Sequence, residues 1–397
     1  MYLKVKYKII MKKNHLKLFL AALVISSSLA IHSCSKDDDE IARIVPVGIA
    51  QDPNNFKGDI TNGQIVTLDA TKVYVLNGSI RVKDGGKLII PAGTRIVATA
   101  AAASYIIVEQ GGQLYANGTA ASPVLFTSFQ TTDGSWGGIV ICGKAPINTG
   151  TTGSSEIGNT TYGGTAATDN SGSLMYVRIE YAGADFATGK KFNGLSLFGV
   201  GSDTVVENIA LLNNAEDGIQ LYGGTVNVSN IVSIGNEDDA FVWTDGWIGT
   251  GSNIYTKRKT NGTGNTGIKG LNNATSPNAS PRSNPIIKNV TFIGGTSGES
   301  HAVTMYSGTY ATIDNIVTSE WAAGINIESD SSVTYFNGKK KITNALFDDT
   351  TTKVSLKSTA GTNVPIVDTT FTEKADATGA GNGKLTPTWA TGWSGLQ

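Results

Sequence analysis

From Val206 to Leu211 the chain reads VENIAL. This stretch has apolar residues at its first, fourth and sixth positions, Asn at its third, and no fixed type at the other two. The same order, or one that differs only at its last place, returns as VSNIVS from Val228, IKNVTF from Ile287, IDNIVT from Ile313 and ITNALF from Ile342. Strand-forming units that recur every 20 to 30 residues or so are typical of a solenoid, because one coil can bury its apolar face only against neighbouring coils. We therefore predict an all-β chain built as a stack of coils.

Each of these units carries Asn at its third position. The five residues are Asn208, Asn230, Asn289, Asn315 and Asn344. Asn tolerates the backbone dihedrals of turns, and its side-chain amide both donates and accepts hydrogen bonds. We interpret the recurring Asn as a structural ladder along the stack rather than as a binding site.

One spacing in this series is too long for a single coil. Asn230 and Asn289 are 59 residues apart, and the excess falls in residues 246–285, which are rich in Gly, Asn, Thr and Ser. Loops of this length are usually functional or disordered. We interpret residues 246–285 as a long loop outside the stack.

Four further stretches carry a family resemblance. They are WGGIVICGKAPIN (Trp136–Asn148), SLMYVRIEYAG (Ser173–Gly183), EDGIQLYGGTVN (Glu216–Asn227) and EDDAFVWTDG (Glu237–Gly246). They resemble an uncharacterised group of Bacteroidetes lipoproteins with a pectin-lyase-like fold. The resemblance implies a single-stranded right-handed parallel β-helix at the cell surface, and it implies no activity.

Polar residues share one column when the coils are aligned. The alignment uses Gly194-Leu195, Gly218-Ile219, Ala240-Phe241, Ala302-Val303 and Gly324-Ile325, with the loop removed. The column then holds Asn193, Asp217, Asp239, His301 and Ala323, with Glu216 and Asp238 beside it and Phe198, Tyr222, Thr244, Tyr306 and Glu328 facing outward. Alternate residues of a strand face opposite sides, so the residue after each small one and the residue two further on should point inward. These are Leu195, Leu197, Ile219, Leu221, Phe241, Trp243, Val303, Met305, Ile325 and Ile327. The polar column should then form a groove wall of carboxylates and one imidazole beside an aromatic row. Trp247 opens the loop beside this groove, either as a sugar-stacking ring or as a buried residue at the root of the loop.

Paired carboxylates suit carbohydrate chemistry, since inverting glycosidases hold two of them about 6.5 to 9.5 Å apart. Asp217-Gly218, Asp238-Asp239 and His301 resemble part of the polygalacturonase motif, which implies Asp217, Asp238, Asp239 and His301 as catalytic residues. Two parts of that motif are missing here. One is the pair of glycines on either side of its His, and the other is the Arg-x-Lys that follows. For a lyase, the nearest basic residues are Arg178 and Arg258, and the acids could bind Ca²⁺.

Three interpretations of the column stay open: residues that punctuate turns, a glycan or Ca²⁺ site, and a catalytic site. We predict a non-catalytic glycan-binding or adhesive module, with Asn193, Phe198, Glu216, Tyr222, Trp247 and Tyr306 as binding residues. A polysaccharide-degrading glycoside hydrolase or lyase is the alternative. No cofactor other than Ca²⁺ is expected.

The first residues have the order of a secretory signal. A basic stretch, MKKNHLK from Met11, precedes an apolar run from Leu18 to Ile31, and IHSC at residues 31–34 resembles a bacterial lipobox. The resemblance implies that Cys34 is lipidated after removal of residues 1–33, and the acidic run SKDDDE behind it resembles a surface-export tag. We predict a signal peptide at 1–33, a lipidated tether at 34–45 and a β-helix domain at 46–397, anchored to the cell surface at the outer membrane.

Charge and cysteine content narrow the partners further. Six of the 31 basic residues and none of the 32 acidic residues precede Cys34, which leaves the mature chain with a net charge of −7. A mildly acidic chain argues against nucleic acid as a partner. With Cys34 lipidated, Cys142 is the one remaining cysteine, so we expect no intrachain disulfide and a buried, inert thiol.

Overall fold

The computed structural model of the chain describes residues 48–259, 261, 263–295 and 301–397, and these are almost entirely β-strand and turn. The first strands are β1 (Phe56–Ile60), β2 (Ile65–Thr67), β3 (Val73–Val82), β4 (Lys87–Pro91), β5 (Arg95–Ala98), β6 (Ala101–Val108), β7 (Gln113–Asn117), β8 (Val124–Ser128), β9 (Trp136–Cys142), β10 (Gly153–Ser154), β11 (Thr161–Tyr162), β12 (Gly172–Glu180) and β13 (Asp185–Ala187). The remaining strands are β14 (Lys190–Lys191), β15 (Leu195–Phe198), β16 (Val205–Leu212), β17 (Ile219–Tyr222), β18 (Asn227–Ile234), β19 (Phe241–Thr244), β20 (Thr250–Lys257), β21 (Ile268–Leu271), β22 (Ile286–Ile293), β23 (His301–Tyr306), β24 (Thr312–Glu328), β25 (Ile342–Lys357) and β26 (Phe371–Glu373). Helical segments are the α-helix α1 (Asp330–Lys339) and the short 3-10 helices Gly48–Ala50, Pro53–Asn55 and Thr388–Ala390.

The strands form three parallel ladders, and a complete coil gives one strand to each. The first ladder joins β2, β4 and β7 to the first halves of β12, β16, β18, β20, β22, β24 and β25. The second ladder joins the start of β3, β5 and β8 to the later parts of β12, β16, β18, β20 and β22, and then to the middle of β24 and β25. The third ladder runs through β1, the end of β3, β6, β9, β15, β17, β19, β21, β23 and the ends of β24 and β25. This arrangement confirms the predicted parallel β-helix.

The predicted alternation along the third-ladder strands is correct. Residues expected to face inward have no exposed surface, namely Leu195, Leu197, Ile219, Leu221, Phe241, Trp243, Val303, Met305, Ile325 and Ile327. Stacking places the inward residues of successive coils about 4.8 Å apart, so they form one continuous core. The inward positions of these third-ladder strands are therefore apolar.

The Asn ladder lies at the corner between the first and second ladders. Its members Asn208, Asn230, Asn253, Asn289, Asn315 and Asn344 all have φ between 54° and 57°. This left-handed region is costly for most residues other than Gly, and Asn is the usual exception. From Asn230 to Asn315, each side-chain amide donates to the side-chain oxygen of the Asn before it in the ladder, at 2.9 to 3.1 Å. The structural interpretation is confirmed, and the ladder has one more member than predicted, Asn253.

That extra member corrects the interpretation of residues 246–285, which are not a single loop outside the stack. They contain β20 and β21, which pair with the coils on both sides and complete a coil of their own. The sequence pattern hid this coil because Gly251 stands where the other units have an apolar residue. Shorter insertions remain at residues 258–267 and 272–285.

Two segments cover outer faces of the helix. Residues 143–170 pack over the N-terminal coils of the third ladder, where Ile147, Ile157 and Tyr162 join an apolar cluster with Val140 and Cys142. Burial raises the pKa of the Cys142 thiol to about 12, which confirms the prediction of a buried, inert cysteine.

The C-terminal segment covers part of the second ladder. Trp393 packs with Ala210 and Val232, and Ala380 packs with Tyr255 and Ile293. Within the described part of the chain, no helix is long and apolar enough to cross a membrane. The predicted signal peptide, Cys34 and the tether lie outside the described residues.

Candidate functional site

The outer face of the third ladder has a covered half, under residues 143–170, and an open half, from β21 to the end of β25. Phe198 lies in the covered half and is 2% exposed. Its ring stacks on Tyr222 with centroids 3.9 Å apart, and Tyr162 meets it edge-on at 5.0 Å. Phe198 is therefore wrong as a binding residue, because the insertion covers it, and one face of the Tyr222 ring is already occupied.

Trp247 is also buried. It has no exposed surface, its indole N–H donates to the Val226 carbonyl at 3.0 Å, and its ring packs 6.1 Å from Trp243 in the core. Of the two interpretations of Trp247, the buried residue is correct and the sugar-stacking ring is wrong.

The predicted column of polar residues is present from Asn193 to Asp239. Ladder pairing places Leu195 opposite Ile219 and Ile219 opposite Phe241, which aligns Asn193, Asp217 and Asp239. Asn193 is 5% exposed and donates to the side chains of Ser196 and Gln220 at 3.1 and 3.0 Å. These bonds hold Asn193 inside the protein, so it offers little surface to a ligand.

Asp217 and Asp239 tie successive coils together. The Asp217 Oδ1 accepts the backbone N–H of Asp239 at 3.0 Å. The Asp239 Oδ1 in turn accepts the N–H and the hydroxyl of Thr266, at 2.9 and 2.7 Å. Because both carboxylates are buried and bonded to the next turn, they act first as structural links between coils.

Lys269 is the counter-ion that sequence reasoning missed. Its Nζ lies 2.7 Å from the Asp239 Oδ2, in a pair whose carboxylate is 1% exposed. Burial lowers the pKa of Lys269, but the Asp239 carboxylate outweighs burial and holds that pKa above its usual value. The sequence contained a signal for this coil, since Gly267-Ile268 repeats the small-apolar step of Gly218-Ile219.

Glu216, Asp217, Asp238 and Asp239 form what we call the acidic cluster. Carboxylate oxygens of the three aspartates lie within 4.8 Å of one another. Burial, followed by the neighbouring carboxylates, raises the pKa of Asp217 and Asp238. Burial and the Asp238 charge raise the pKa of Glu216 to about 7. Four carboxyl groups thus lie close together with Lys269 paired to Asp239, and Glu216 is partly protonated at neutral pH.

The donor chemistry of the cluster is that of a Ca²⁺ site, but the arrangement does not fit one. Ca²⁺ takes six to eight oxygen ligands. Oδ1 of both Asp217 and Asp239 is committed to backbone N–H groups, the Asn265 amide donates to the Asp238 Oδ1, and the Lys269 ammonium sits against Asp239. The ammonium group already occupies the position of a cation.

His301 does not follow Asp239 by one coil. Ile268 pairs with both Phe241 and Val303, so Thr266 stands in the column between Asp239 and His301. Two ladder steps separate them by about 10 Å. The polygalacturonase-like spacing of Asp238-Asp239 and His301 is therefore wrong, and its cause is the coil that was counted as a loop.

His301 does pair with Ala323 as predicted. Burial and the Lys357 charge lower the pKa of His301, while Glu328 opposes them. The basic residues considered for a lyase lie elsewhere, since Arg178 pairs with Glu180 and Arg258 stacks 5.3 Å above Trp321. At the acidic cluster the basic side chains are Lys269, paired with Asp239, and Lys191, whose charge lowers the pKa of Glu216.

A cleft of about 670 Å³ opens on the open half. Its walls come from the turns after three successive third-ladder strands and from the insertion 272–285. The lining residues are Pro277, Asn278, Tyr306, Ser307, Glu328, Ser329, Asp330, Ser331, Lys357, Ser358, Thr359 and Gly361. Tyr306 is thus the predicted aromatic residue that borders open space, and hydroxyl and carboxyl groups surround it.

One wall of the cleft is held by Arg282. Its guanidinium donates to the carbonyls of Pro277 and Gly308 and to the Asn278 side chain, and it lies 4.6 Å from the Tyr310 ring centroid. A planar group with several donors fixes the loop against the turn that follows β23. The cleft is therefore a built feature of the fold.

Residues 58–394 match the family of pectate-lyase-like β-helix domains. No curated protein matches the chain. Among solved structures it is similar to the enzymatically active domain of tailspike protein 2 of bacteriophage CBA120, with 12% identity, a TM-score of 0.26, and coverage of 71% of this chain and 39% of that one. It is also similar to the Dettilon tailspike protein, with 10% identity, a TM-score of 0.28, and coverage of 74% and 61%. The chain thus spans less than two thirds of either structure.

Proposed function

This chain belongs to the family of pectate-lyase-like β-helix domains, and we propose that it is a non-catalytic glycan-binding module that holds carbohydrate in the cleft beside Tyr306. The cleft is the observation that carries the proposal. Its volume of about 670 Å³ falls within the usual range of ligand sites, roughly 300 to 1,000 Å³. An aromatic ring among hydroxyl and carboxyl groups suits a sugar, which has apolar ring faces and many hydroxyls.

Asp217 and Asp239 of the acidic cluster are not arranged for hydrolysis. Glycosidases need two accessible carboxyl groups that flank the bond, about 5 to 5.5 Å apart in retaining enzymes and farther apart in inverting ones. Asp217 and Asp239 are buried, and their oxygens accept hydrogen bonds from neighbouring backbone. A substrate cannot be placed between groups that are used in this way.

Polysaccharide cleavage is the second candidate, and Glu216 is the residue that favours it. A half-buried carboxyl whose pKa is raised to about 7 by burial and by Asp238 is partly protonated at neutral pH. A general acid needs that property. The enzymatic alternative therefore depends on Glu216, with Lys269 nearby, rather than on His301.

The binding proposal is tested with the purified chain on a glycan array, followed by affinity measurement on the best ligand. Tyr306→Ala should weaken affinity about tenfold, because it removes the stacking face, and Tyr306→Phe should keep most of it. Tyr115→Ala is the matched control, since Tyr115 is half-buried on the first ladder, away from the cleft. Equal affinity of Tyr306→Ala and the parent would contradict the proposal. Release of reducing ends or of unsaturated sugars that Glu216→Gln abolishes would favour the enzyme.

We also propose that the protein is a lipoprotein anchored through Cys34 and exposed on the cell surface. The support is the order of the basic stretch, the apolar run and Cys34, with Asp37, Asp38 and Asp39 behind it. Cys34→Ala should move the protein from the membrane fraction to the soluble fraction, because acyl chains provide the anchoring free energy. Changing the three aspartates to Ala should keep it anchored but protect it from external protease. Unchanged protease access in intact cells would contradict surface export by this run.

A further inference from the structure

Acidic groups outnumber basic groups in the cleft and in the acidic cluster, which lies before the open half. The described side chains that line the cleft or form the acidic cluster include six carboxyl groups and one ammonium group. The carboxyl groups are Glu216, Asp217, Asp238, Asp239, Glu328 and Asp330, and the ammonium group is Lys357. Lys269 adds a second ammonium group between the two sets. The cleft itself carries two carboxyl groups and one ammonium group, whereas Asp217 and Asp239 of the acidic cluster are buried.

Each of these two lysines already faces a carboxylate. The Lys269 Nζ is 2.7 Å from Asp239, and the Lys357 Nζ is 3.8 Å from Glu328. Arg282 stands behind the loop wall and gives its hydrogen bonds to Pro277, Gly308 and Asn278. An incoming carboxylate or sulfate that approached either lysine would therefore come close to a carboxylate of the protein.

We infer that the glycan held in the cleft carries no acidic groups, and that polyuronates and sulfated chains are excluded by the carboxylates that line it and its approach. This inference rests on the proposed glycan-binding function and names the class of glycan. Bringing like charges together is costly at short range. The nearest carboxylates of the cleft itself are Glu328 and Asp330, one on each side of Ser329.

Range decides which charges matter. The acidic cluster on β17 and β19 lies about three ladder steps, or roughly 14 Å, from the β24 end of the cleft. That exceeds the screening length of about 8 Å at physiological salt. Glu328 and Asp330 should therefore set specificity under physiological conditions, and the cluster should contribute mainly at low salt.

The test uses two polymers with one backbone, polygalacturonate and its fully methyl-esterified form, together with neutral glycans from the array. We expect the esterified polymer and the neutral glycans to bind at least tenfold more tightly than polygalacturonate at low salt. The preference should shrink as salt rises, because screening removes repulsion and leaves hydrogen bonding. Glu328→Gln with Asp330→Asn should reduce the preference several fold. The same change at two exposed, remote positions, Asp185→Asn with Asp203→Asn, should leave it unchanged.

Three outcomes would overturn the inference. Tighter binding of polygalacturonate than of its ester would do so directly. Tighter binding of polygalacturonate only with added Ca²⁺ would show a calcium-bridged uronate instead. A preference for neutral glycans that the cleft double variant leaves intact would place its cause elsewhere. Binding of no glycan of either charge would overturn the proposed function itself, which is a different result from a preference for acidic chains.

Discussion

The covered and open halves of the third ladder share one backbone and differ in use. In both, inward residues such as Ile219 and Val303 have no exposed surface, and outward positions carry aromatic rings. In the covered half, Phe198 is buried under residues 143–170, whereas Tyr306 in the open half borders a cleft of about 670 Å³. The comparison teaches that an outward aromatic residue on a β-helix indicates a binding surface only where no insertion packs over it.

The largest effect we predict tests what the halves share. Ile219→Asp in the covered half and Val303→Asp in the open half should each cost about 4 kcal/mol or more in free energy of unfolding, because each buries a carboxyl group without a partner. Denaturant titration measures both.

The outward neighbours of these positions should separate the halves. Gln220 accepts hydrogen bonds from Asn193 and Tyr222, so Gln220→Asp should cost about 1 to 2 kcal/mol. Thr304 lies opposite Lys269 in the ladder, so Thr304→Asp should change stability by less than about 0.5 kcal/mol. Equal loss at both outward positions would contradict the division into halves.

The next effect concerns the aromatic residues themselves. Phe198→Ala should cost about 3 to 5 kcal/mol of stability, because it leaves a cavity between Tyr162 and Tyr222. Tyr306→Ala should cost only about 1 kcal/mol, since this ring is half-buried, and its main effect should be on glycan affinity. Thermal unfolding and glycan binding are measured on the same preparations. Phe198→Ala should cause the larger loss of stability, and Tyr306→Ala should cause the larger loss of affinity. The same ranking in both assays would show that Tyr306 is a core residue.

Periodic features of this molecule could be predicted from sequence, because stacking repeats the same requirement in every coil. The Asn ladder from Asn208 to Asn344 and the inward register of the third ladder are of this kind. Features set by one coil alone could not. The coil of β20 and β21 lacks the apolar residue that marks the others, and its omission brought His301 one coil too close to Asp239.

Contacts between distant segments were equally invisible in the sequence. Nothing in the repeat pattern indicates that Tyr162 packs on Phe198, and the contact of Lys269 with Asp239 was missed because the Gly267-Ile268 step was not counted as a coil. Both contacts depend on how an insertion or a neighbouring coil folds over a given position. The candidate site was therefore predicted in part: the aligned aspartates and Tyr306 were found, and the base, the cleft and the covered rings were not.

The smallest effect we predict arises at the acidic cluster. Glu216 has a pKa of about 7 in the folded protein, raised from 4.5 by burial and by Asp238, so the folded state binds more protons than the unfolded state between these values. Stability should therefore fall as pH rises from about 4.5 to about 7 and level off above that. Because Glu216 is half exposed, screening should limit its share to about 1 kcal/mol. Glu216→Gln should flatten this slope and raise stability at pH 8, whereas Glu207→Gln, on the outer side of the first ladder, should leave it unchanged. Urea unfolding at several pH values measures this slope. A steeper slope in Glu216→Gln than in the parent would contradict the prediction, because it would show that the fold stabilises Glu216 as a carboxylate and that the carboxylates of the cluster do not repel one another.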